Sequence, residues 1–404
     1  MKILFVADVS INNVIGGAER VLFEQTTRMA ERGHNVSIIT RSLPDHHIGH
    51  EVIRGVTEWR YASNKKNPIS FLCSTLINSK KIFETLEQKN HFDCINFHQP
   101  FSAFGVINST LSFELPKIYT CHSLSFEEFK FRNVNSYHFL SGIKSFLQSH
   151  GHKKIEKNIL KPSNEIIVLS KFTKNKINHA YRINDDIIRI IPGGVNLNRF
   201  SPAIDKRTIR KRLNIPSNKI ILFTVRNLVQ RMGLENLIIA FNDLIKQNAE
   251  INLVIGGDGK LKPGLIAIAR NFGIENHIHF VGFIPEEQLP FYYQMADIFV
   301  LPTKELEGFG LVTLEAMASG LPVLGTPVGG TKEIIGNFDS SFLFKSPDPD
   351  SMAELIMEMY KLIKHNPQKW KQLSHQCRNF VEQNYCWEKN IDAIEDLFKK
   401  AINN

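Results

Sequence analysis

Apolar positions along this chain fall into short, nearly unbroken runs separated by longer stretches in which they recur every third or fourth residue. The runs suit strands buried on both faces, and the stretches between them suit amphipathic helices. Ile3 to Ala7 is the first run. A loop ending in Gly16-Gly17 follows, then a helix marked by Val21, Leu22, Gln25 and Met29 that stops near Gly33. A β-branched strand over Val36 to Thr40 closes this opening unit. The same layout returns later: a strand over Lys219 to Val225, a loop from Arg226 to Gly233, a helix marked by Leu237, Ile238, Phe241 and Ile245, and a strand over Ile251 to Ile255.

Further strands are expected at Cys94 to Phe97, Lys117 to Thr120 and Glu165 to Leu169 in the first half. In the second half they are expected at His279 to Val281, Ile298 to Leu301 and Pro322 to Leu324. Two such alternations predict an α/β chain of two doubly wound, Rossmann-like domains in tandem. Pro and Gly punctuate Ile191-Pro192-Gly193-Gly194-Val195 and Ser201-Pro202 ahead of a basic helix at Arg207 to Leu213, which places the boundary there. The expected domains are 1–190 and 191–375, with 376–404 as a terminal helical segment inside a helical tail that starts near 351.

Composition narrows the chemistry. The 404 residues are 43% hydrophobic and 22% charged, enough apolar content for sizeable cores and too much for disorder. Five scattered cysteines with no C-x-x-C pair exclude a disulfide scaffold and a thiolate zinc site, and suit a reducing, cytoplasmic setting. No apolar run is long enough to span a bilayer, and Met1 to Val6 is too short for a signal-peptide core. A formal charge of +9 favours anionic partners. Nucleic acid is not expected, because no zinc spacing, RNA-recognition pattern or long basic run accompanies the charge. The aromatic stretch Phe101 to Phe146, with Phe113, Phe126, Phe129, Phe131, Tyr137 and Phe139, is followed by Lys144, His150, His152, Lys153, Lys154 and Lys157. It reads either as a partly buried helical pair with a wet basic face or as a peripheral contact with anionic membrane on the cytoplasmic side. His46, His47 and His50 look like metal ligands, but with loop residues Pro44-Asp45 ahead and no acid or thiol nearby they read as a solvated loop.

The sharpest local signal runs from Glu307 through Gly308-Phe309-Gly310-Leu311 to Glu315, and ends at Gly320-Leu321-Pro322. The glycines admit a ligand close to the backbone, and the helix start behind them offers free N–H groups to a phosphate. Glu307 sits in the loop and Glu315 inside the helix, so they read different depths of one ligand. The arrangement suits a nucleotide-sugar; the plainer alternative is a solvated loop acid and a helix charge. A dinucleotide-binding reading of Gly308 to Thr313, with Glu333 downstream, fails because the preceding loop is long and Thr313 stands in place of the third glycine.

This segment resembles the E-x7-E motif of retaining GT-B glycosyltransferases, specifically glycosyltransferase family 4. Gly16-Gly17-Ala18-Glu19-Arg20 resembles that family's N-terminal glycine loop. His122, at a strand end where open α/β sheets bind ligands, resembles its sugar-contacting histidine. Ile191 to Asn196 is similar to its interdomain Pro-Asn-Gly-Val-Asp element, and Gly256 to Gly259, Val281 to Ile284, Ala296-Asp297 and Gly329 to Glu333 match recurring pieces of its second domain.

The resemblance implies a GT-B architecture with an interdomain cleft and a final helix crossing back to the first domain. It implies transfer of a hexose or N-acetylhexosamine from a nucleoside-diphosphate sugar to a hydroxyl of a glycan, lipid-linked or small-molecule acceptor. Retention and the lack of any metal or cofactor beyond that co-substrate come with it. Glu307 would hold the sugar, Glu315 the ribose, Val281 and Phe283 the base, Gly16 and Gly17 the phosphates with Gly308, Phe309, Gly310 and Leu311, and His122 the sugar near its reacting carbon.

The chain departs from the family where a Gly-Arg-Leu-x-x-x-Lys-Gly stretch is usual. Here Arg226-Asn227-Leu228-Val229-Gln230-Arg231-Met232-Gly233 puts Asn227 and Met232 in place of the expected Arg and Lys. Arg226 and Arg231 are expected to turn inward and stabilise the leaving diphosphate. If they do not, the alternative is a catalytically inactive nucleotide-sugar-binding accessory subunit. Gly193 and Asn196 also replace the usual Asn and Asp.

Overall fold

A computed structural model of the chain describes residues 1–12, 16–43, 48–132, 139–247 and 249–403, with the backbone alone at 132 and 139–147. His46, His47 and Tyr137, and the side chains of Phe139, Lys144 and Phe146, therefore lie outside the described residues. The chain divides into two compact units, Met1–Pro192 with Trp387–Asn404, and Gly193–Cys386. The terminal segment expected from 376 divides instead at 386/387, because the helix Pro367–Asn384 runs unbroken through 376. Only the last helix, Trp387–Asn403, joins the first unit.

The first unit is built on β1 (Lys2–Val6), β2 (Asn35–Arg41), β3 (Gly49–Ile53), β4 (Val56–Tyr61), β5 (Cys94–Phe97), β6 (Lys117–Cys121), β7 (Glu165–Val168) and β8 (Ile188–Ile190). They form one sheet in the order β3-β4-β2-β1-β5-β6-β7-β8, parallel except where β3 runs antiparallel to β4 at the edge. Alternation along β1 sorts the core: Leu4 and Val6 pack with Phe83, Val106 and Ile159 on one face, Ile3 and Phe5 with Leu22 and Ile38 on the other. That second face is closed by Ile391, Ile394, Leu397 and Phe398 of the last helix, spaced to share one stripe. Each buried side chain of this kind contributes roughly 1.5–3 kcal/mol. The Arg28–Glu388 and Arg32–Asp392 ion pairs beside them are partly exposed and add little.

The β3–β4 hairpin and β8 escaped the hydrophobic pattern. β4 reads Val-Thr-Glu-Trp-Arg-Tyr, yet Glu58 and Arg60 are both buried. Arg60 Nε donates to Glu58 at 2.6 Å, and its guanidinium also pairs with Glu51. Glu58 further accepts from Ser10 Oγ at 2.7 Å and the Ile11 amide at 2.8 Å. A fully paired buried charge of this kind is tolerated in a strand.

A second buried acid lies in the same unit. Glu156 accepts the Tyr119 hydroxyl at 3.0 Å, the Tyr181 hydroxyl at 2.5 Å and the Ser125 amide at 3.1 Å. Burial pushes its pKa up to about 7, against the pull of the Tyr181 and Tyr119 hydrogen bonds. A carboxyl that holds its proton more tightly folded than unfolded stabilises most at low pH, and that stability is lost as pH rises from about 4.5 to about 7. Glu156→Gln should therefore gain on the parent by on the order of 2–3 kcal/mol between pH 5 and pH 8, read as the pH dependence of the difference in urea unfolding. A difference that is flat across that range would refute the assignment.

The second unit carries β9 (Ile220–Val225), β10 (Ile251–Gly256), β11 (Ile278–Gly282), β12 (Ile298–Leu301) and β13 (Val323–Gly325), all parallel in the order β11-β10-β9-β12-β13. Asp297 is a structural pin here. It accepts from Arg210 at 2.6 Å, Lys206 at 3.1 Å and the Ile221 amide at 2.8 Å, fastening the basic helix Lys206–Arg212 to the start of β9. Arg378 donates to the carbonyls of Leu197, Phe200 and Ala318, clamping the linker residues to this unit.

Candidate functional site

In the second unit the chain leaves β9 at Arg226 and β12 at Pro302, and both exits lie at the carboxyl edge of the sheet. The Arg226 guanidinium pairs with the Glu307 carboxylate; both side chains are largely buried. It also donates to Thr303 Oγ1 at 3.2 Å and to Met232 Sδ at 3.1 Å. Thr303 Oγ1 lies 3.3 Å from the same Glu307 oxygen. Met232, standing where a lysine was expected, is thus a buried acceptor that supports Arg226. Arg231 donates to the Leu306 carbonyl at 2.9 Å. Leu306 has φ +54°, a left-handed conformation that costs a branched residue about 1–3 kcal/mol and persists only where its surroundings impose it. Arg231 therefore holds the strained residue directly before Glu307.

Glycines bring these loops into backbone contact. A Cβ on Gly329 would lie 2.0 Å from the Glu307 carbonyl, which accepts the Gly330 amide at 2.8 Å. A Cβ on Gly257 would lie 1.9 Å from the Arg226 carbonyl, and one on Gly233 would lie 1.9 Å from that of Pro302. Gly193 faces Leu311 and Phe309 at 2.9 and 3.1 Å from its would-be Cβ, which accounts for glycine where the family usually has Asn.

Gly310, at φ +90°, caps the helix Leu311–Ala318 without a side chain. Its would-be Cβ lies 2.6 Å from Thr331 Oγ1, 3.3 Å from Thr313 Oγ1 and 3.7 Å from Glu307 Cγ. Both threonine hydroxyls are buried and, among the described residues, have no hydrogen-bond partner. A helix N-terminus flanked by two unused hydroxyls and an arginine-held carboxylate can receive an anion and its hydroxyl-bearing substituent. Glu315, one turn into the helix, is buried and accepts the Tyr293 hydroxyl at 2.9 Å through one oxygen. Val281 and Phe283 flank Gly282, whose carbonyl accepts the Gly257 amide at 2.6 Å; the Phe283 ring is exposed.

The other expected residues lie in the first unit. Gly16 is extended at the N-terminus of the helix Gly17–Glu31. His122 directly follows β6 at the carboxyl edge and contacts His98, which directly follows β5, at 3.0 Å. Burial lowers the pKa of His122 to about 4 and drives that of His98 well down, helped by His122. Asp8, after β1, accepts the Phe101 and Ser102 amides and so caps the helix Pro100–Ile107. Of the histidines expected in a solvated loop, His50 stacks on Trp59 with centroids 4.4 Å apart. No group of metal-ligating side chains occurs among the described residues. In the aromatic stretch Phe113 is exposed and Phe126 buried, and Lys153 lies 5.2 Å over the Phe126 ring. No helix among the described residues is long and apolar enough to cross a membrane.

His98, Tyr293, Thr313 and Thr331 were not singled out by the sequence. His98 and Tyr293 look like ordinary core residues until their partners are known. Thr313 was noticed only as a missing glycine.

With that geometry in place, the class is defined by two Rossmann-like units whose second carries an acid–glycine–helix turn at its carboxyl edge. Family models agree: "Glycosyltransferase Family 4" matches residues 15–199 and "Glycosyl transferases group 1" matches 205–376. The chain belongs to this glycosyltransferase family. It is 24% identical over 402 residues to a D-inositol 3-phosphate glycosyltransferase of Nocardiopsis dassonvillei, covering 95% of this chain and 89% of the relative. Among solved structures it resembles sucrose-phosphate synthase from Thermosynechococcus elongatus, with TM-score 0.82 at 22% identity and 99% coverage of both chains. It also resembles Anabaena HepE in complex with UDP-glucose, with TM-score 0.75 at 18% identity, covering 99% of this chain and 100% of that one. The fold is GT-B, and the protein is a transferase acting with nucleotide sugars.

The glycine contacts can be tested against a control in the same unit. Gly257→Ala meets a carbonyl at 1.9 Å from a backbone at φ +109°, and should cost about 2–3 kcal/mol. Gly264, exposed in the helix Lys262–Asn271 with nothing near its would-be Cβ, should gain about 0.5–1 kcal/mol as Ala. Thermal unfolding of the two variants reads both signs.

Proposed function

We propose that this protein transfers a hexose or N-acetylhexosamine from a nucleoside-diphosphate sugar to a hydroxyl acceptor, with retention and without a metal ion. The observation that carries the reading is the turn from Glu307 to Leu311, where a buried Arg226–Glu307 pair adjoins a helix N-terminus and two unpartnered threonine hydroxyls. The amides of Phe309 to Leu311 receive the diphosphate, with Gly308 keeping the turn open. Arg226 and Arg231 offset the charge that develops on it as the glycosidic bond breaks, the work a metal would otherwise do. Glu307 accepts from the sugar hydroxyls, and the oxygen of Glu315 not engaged by Tyr293 accepts from the ribose. Val281 and Phe283 border the base. Gly16 and Gly17 provide a second set of close backbone amides for the phosphates, and His122 hydrogen-bonds the sugar. With no group on the first unit singled out as a covalent nucleophile, departure and attack on the same face are the route consistent with retention.

A thermal-shift panel of UDP-, GDP- and ADP-sugars should raise the melting temperature with one base above the others; no rise with any would defeat the donor assignment. Arg226→Ala should lower kcat by about 100-fold or more while EDTA leaves the parent's turnover unchanged. Near-normal turnover of both Arg226→Ala and Arg231→Ala would remove the arginines from the chemistry.

A further inference from the structure

The two histidines at the carboxyl edge of the first sheet form a contact that the family resemblance did not call for. His98 Nδ1 lies 3.0 Å from His122 Nε2, with the rings tilted 43° and their centroids 5.1 Å apart. The outer nitrogen of each ring, His98 Nε2 and His122 Nδ1, is buried and has no partner among the described residues. Burial keeps both rings neutral near pH 7, so the short contact contains one proton and each ring carries one. Two arrangements satisfy that count, and they differ in which ring is left with an unused N–H.

If His122 donated, His98 would hold its own proton on Nε2. His98 is only 2% exposed and tilted against Phe5, so that N–H would be stranded in the core. If His98 donates, its stranded nitrogen is a bare acceptor, and the unused N–H is on His122 Nδ1, itself buried but on a side chain that is partly exposed at the sheet edge. Each arrangement leaves one orphan donor, but a donor on a partly exposed side chain at a ligand-binding edge can find its partner in the ligand, and one in the core cannot. The second arrangement is the less costly.

We infer that His98 is a positioning residue that donates from Nδ1 to His122 Nε2, fixing His122 as the Nδ1-protonated tautomer and presenting that N–H to a ligand oxygen at the sheet edge. The ligand part rests on the reading of His122 as a sugar-contacting residue; the tautomer part does not. His98 acts on the reaction only through the second ring, as the outer partner of a metal-bound histidine fixes its tautomer.

The full chain labelled with ¹⁵N-histidine, observed through long-range proton–nitrogen couplings at neutral pH, reads the tautomers directly. His122→Gln and His98→Phe assign the signals by their loss. In the parent, both His98 and His122 should show protonated Nδ1 and bare Nε2. His122 with protonated Nε2 would overturn the inference, whatever the variants do. His98→Phe, which keeps a ring against Phe5, should release His122 toward the Nε2-protonated form and lower kcat about 10- to 100-fold, with donor KM changed less than about 3-fold. An unchanged kcat in a variant whose His122 tautomer has moved would also overturn it. Absence of turnover by the parent with every nucleotide sugar would instead strike the proposed function, leaving the tautomer to be decided by the spectra.

Discussion

The ion pair between Arg226 and Glu307 is the constraint around which the second unit is arranged. Both charges lie out of bulk water, and removing either one would leave the other as an unpaired, largely buried charge. The arginine ends one strand and the glutamate follows another, so pairing them requires two loops to meet within backbone contact. Gly257, Gly329 and Gly233 make that approach possible, each at a position where a Cβ would strike a carbonyl oxygen. Thr303 and Met232 accept further bonds from the same guanidinium. The carboxylate is thereby held in one place by the fold itself.

The first unit solves a similar problem with different parts. Its carboxyl-edge loops are fixed by acids reaching across elements. Asp8 caps a helix that begins after another strand, Glu58 holds the Ser10-Ile11 turn ahead of the glycine loop, and Glu156 gathers two tyrosines and the start of the helix Ser125–Arg132. Each is a buried polar group that reaches at least one partner distant in sequence. Together they make the edge of the sheet polar and hydrogen-bonded while its two faces stay apolar. The last helix contributes to one of those faces through Ile391, Ile394, Leu397 and Phe398.

Strands buried on both faces announce themselves in sequence, because nearly every position is then apolar; Ile298–Leu301 has the expected bounds and Cys94–Phe97, despite its buried Asn96, likewise. Val56–Tyr61 was illegible for the opposite reason. Its Glu58 and Arg60 look like surface charges and are buried only because Ser10, Ile11 and Glu51 meet them there. Gly193, standing where the family usually has Asn, is explained by its packing against Phe309 and Leu311. Asp297 was matched as a recurring family piece, and its three bonds make it a fastener of helix to sheet.

Local patterning thus determined the class of fold, the doubling of the α/β layout, the linker near residue 192 and the Glu307–Glu315 segment with its glycines. These depend on period, spacing and residue type, which are properties of neighbours in the chain. The partners of each charge could come only from the tertiary structure: Arg226 with Glu307, Arg231 with the strained Leu306, Tyr293 with Glu315 and His98 with His122. A hydrogen bond or buried ion pair depends on distance and desolvation between groups far apart in sequence, and no local pattern encodes either.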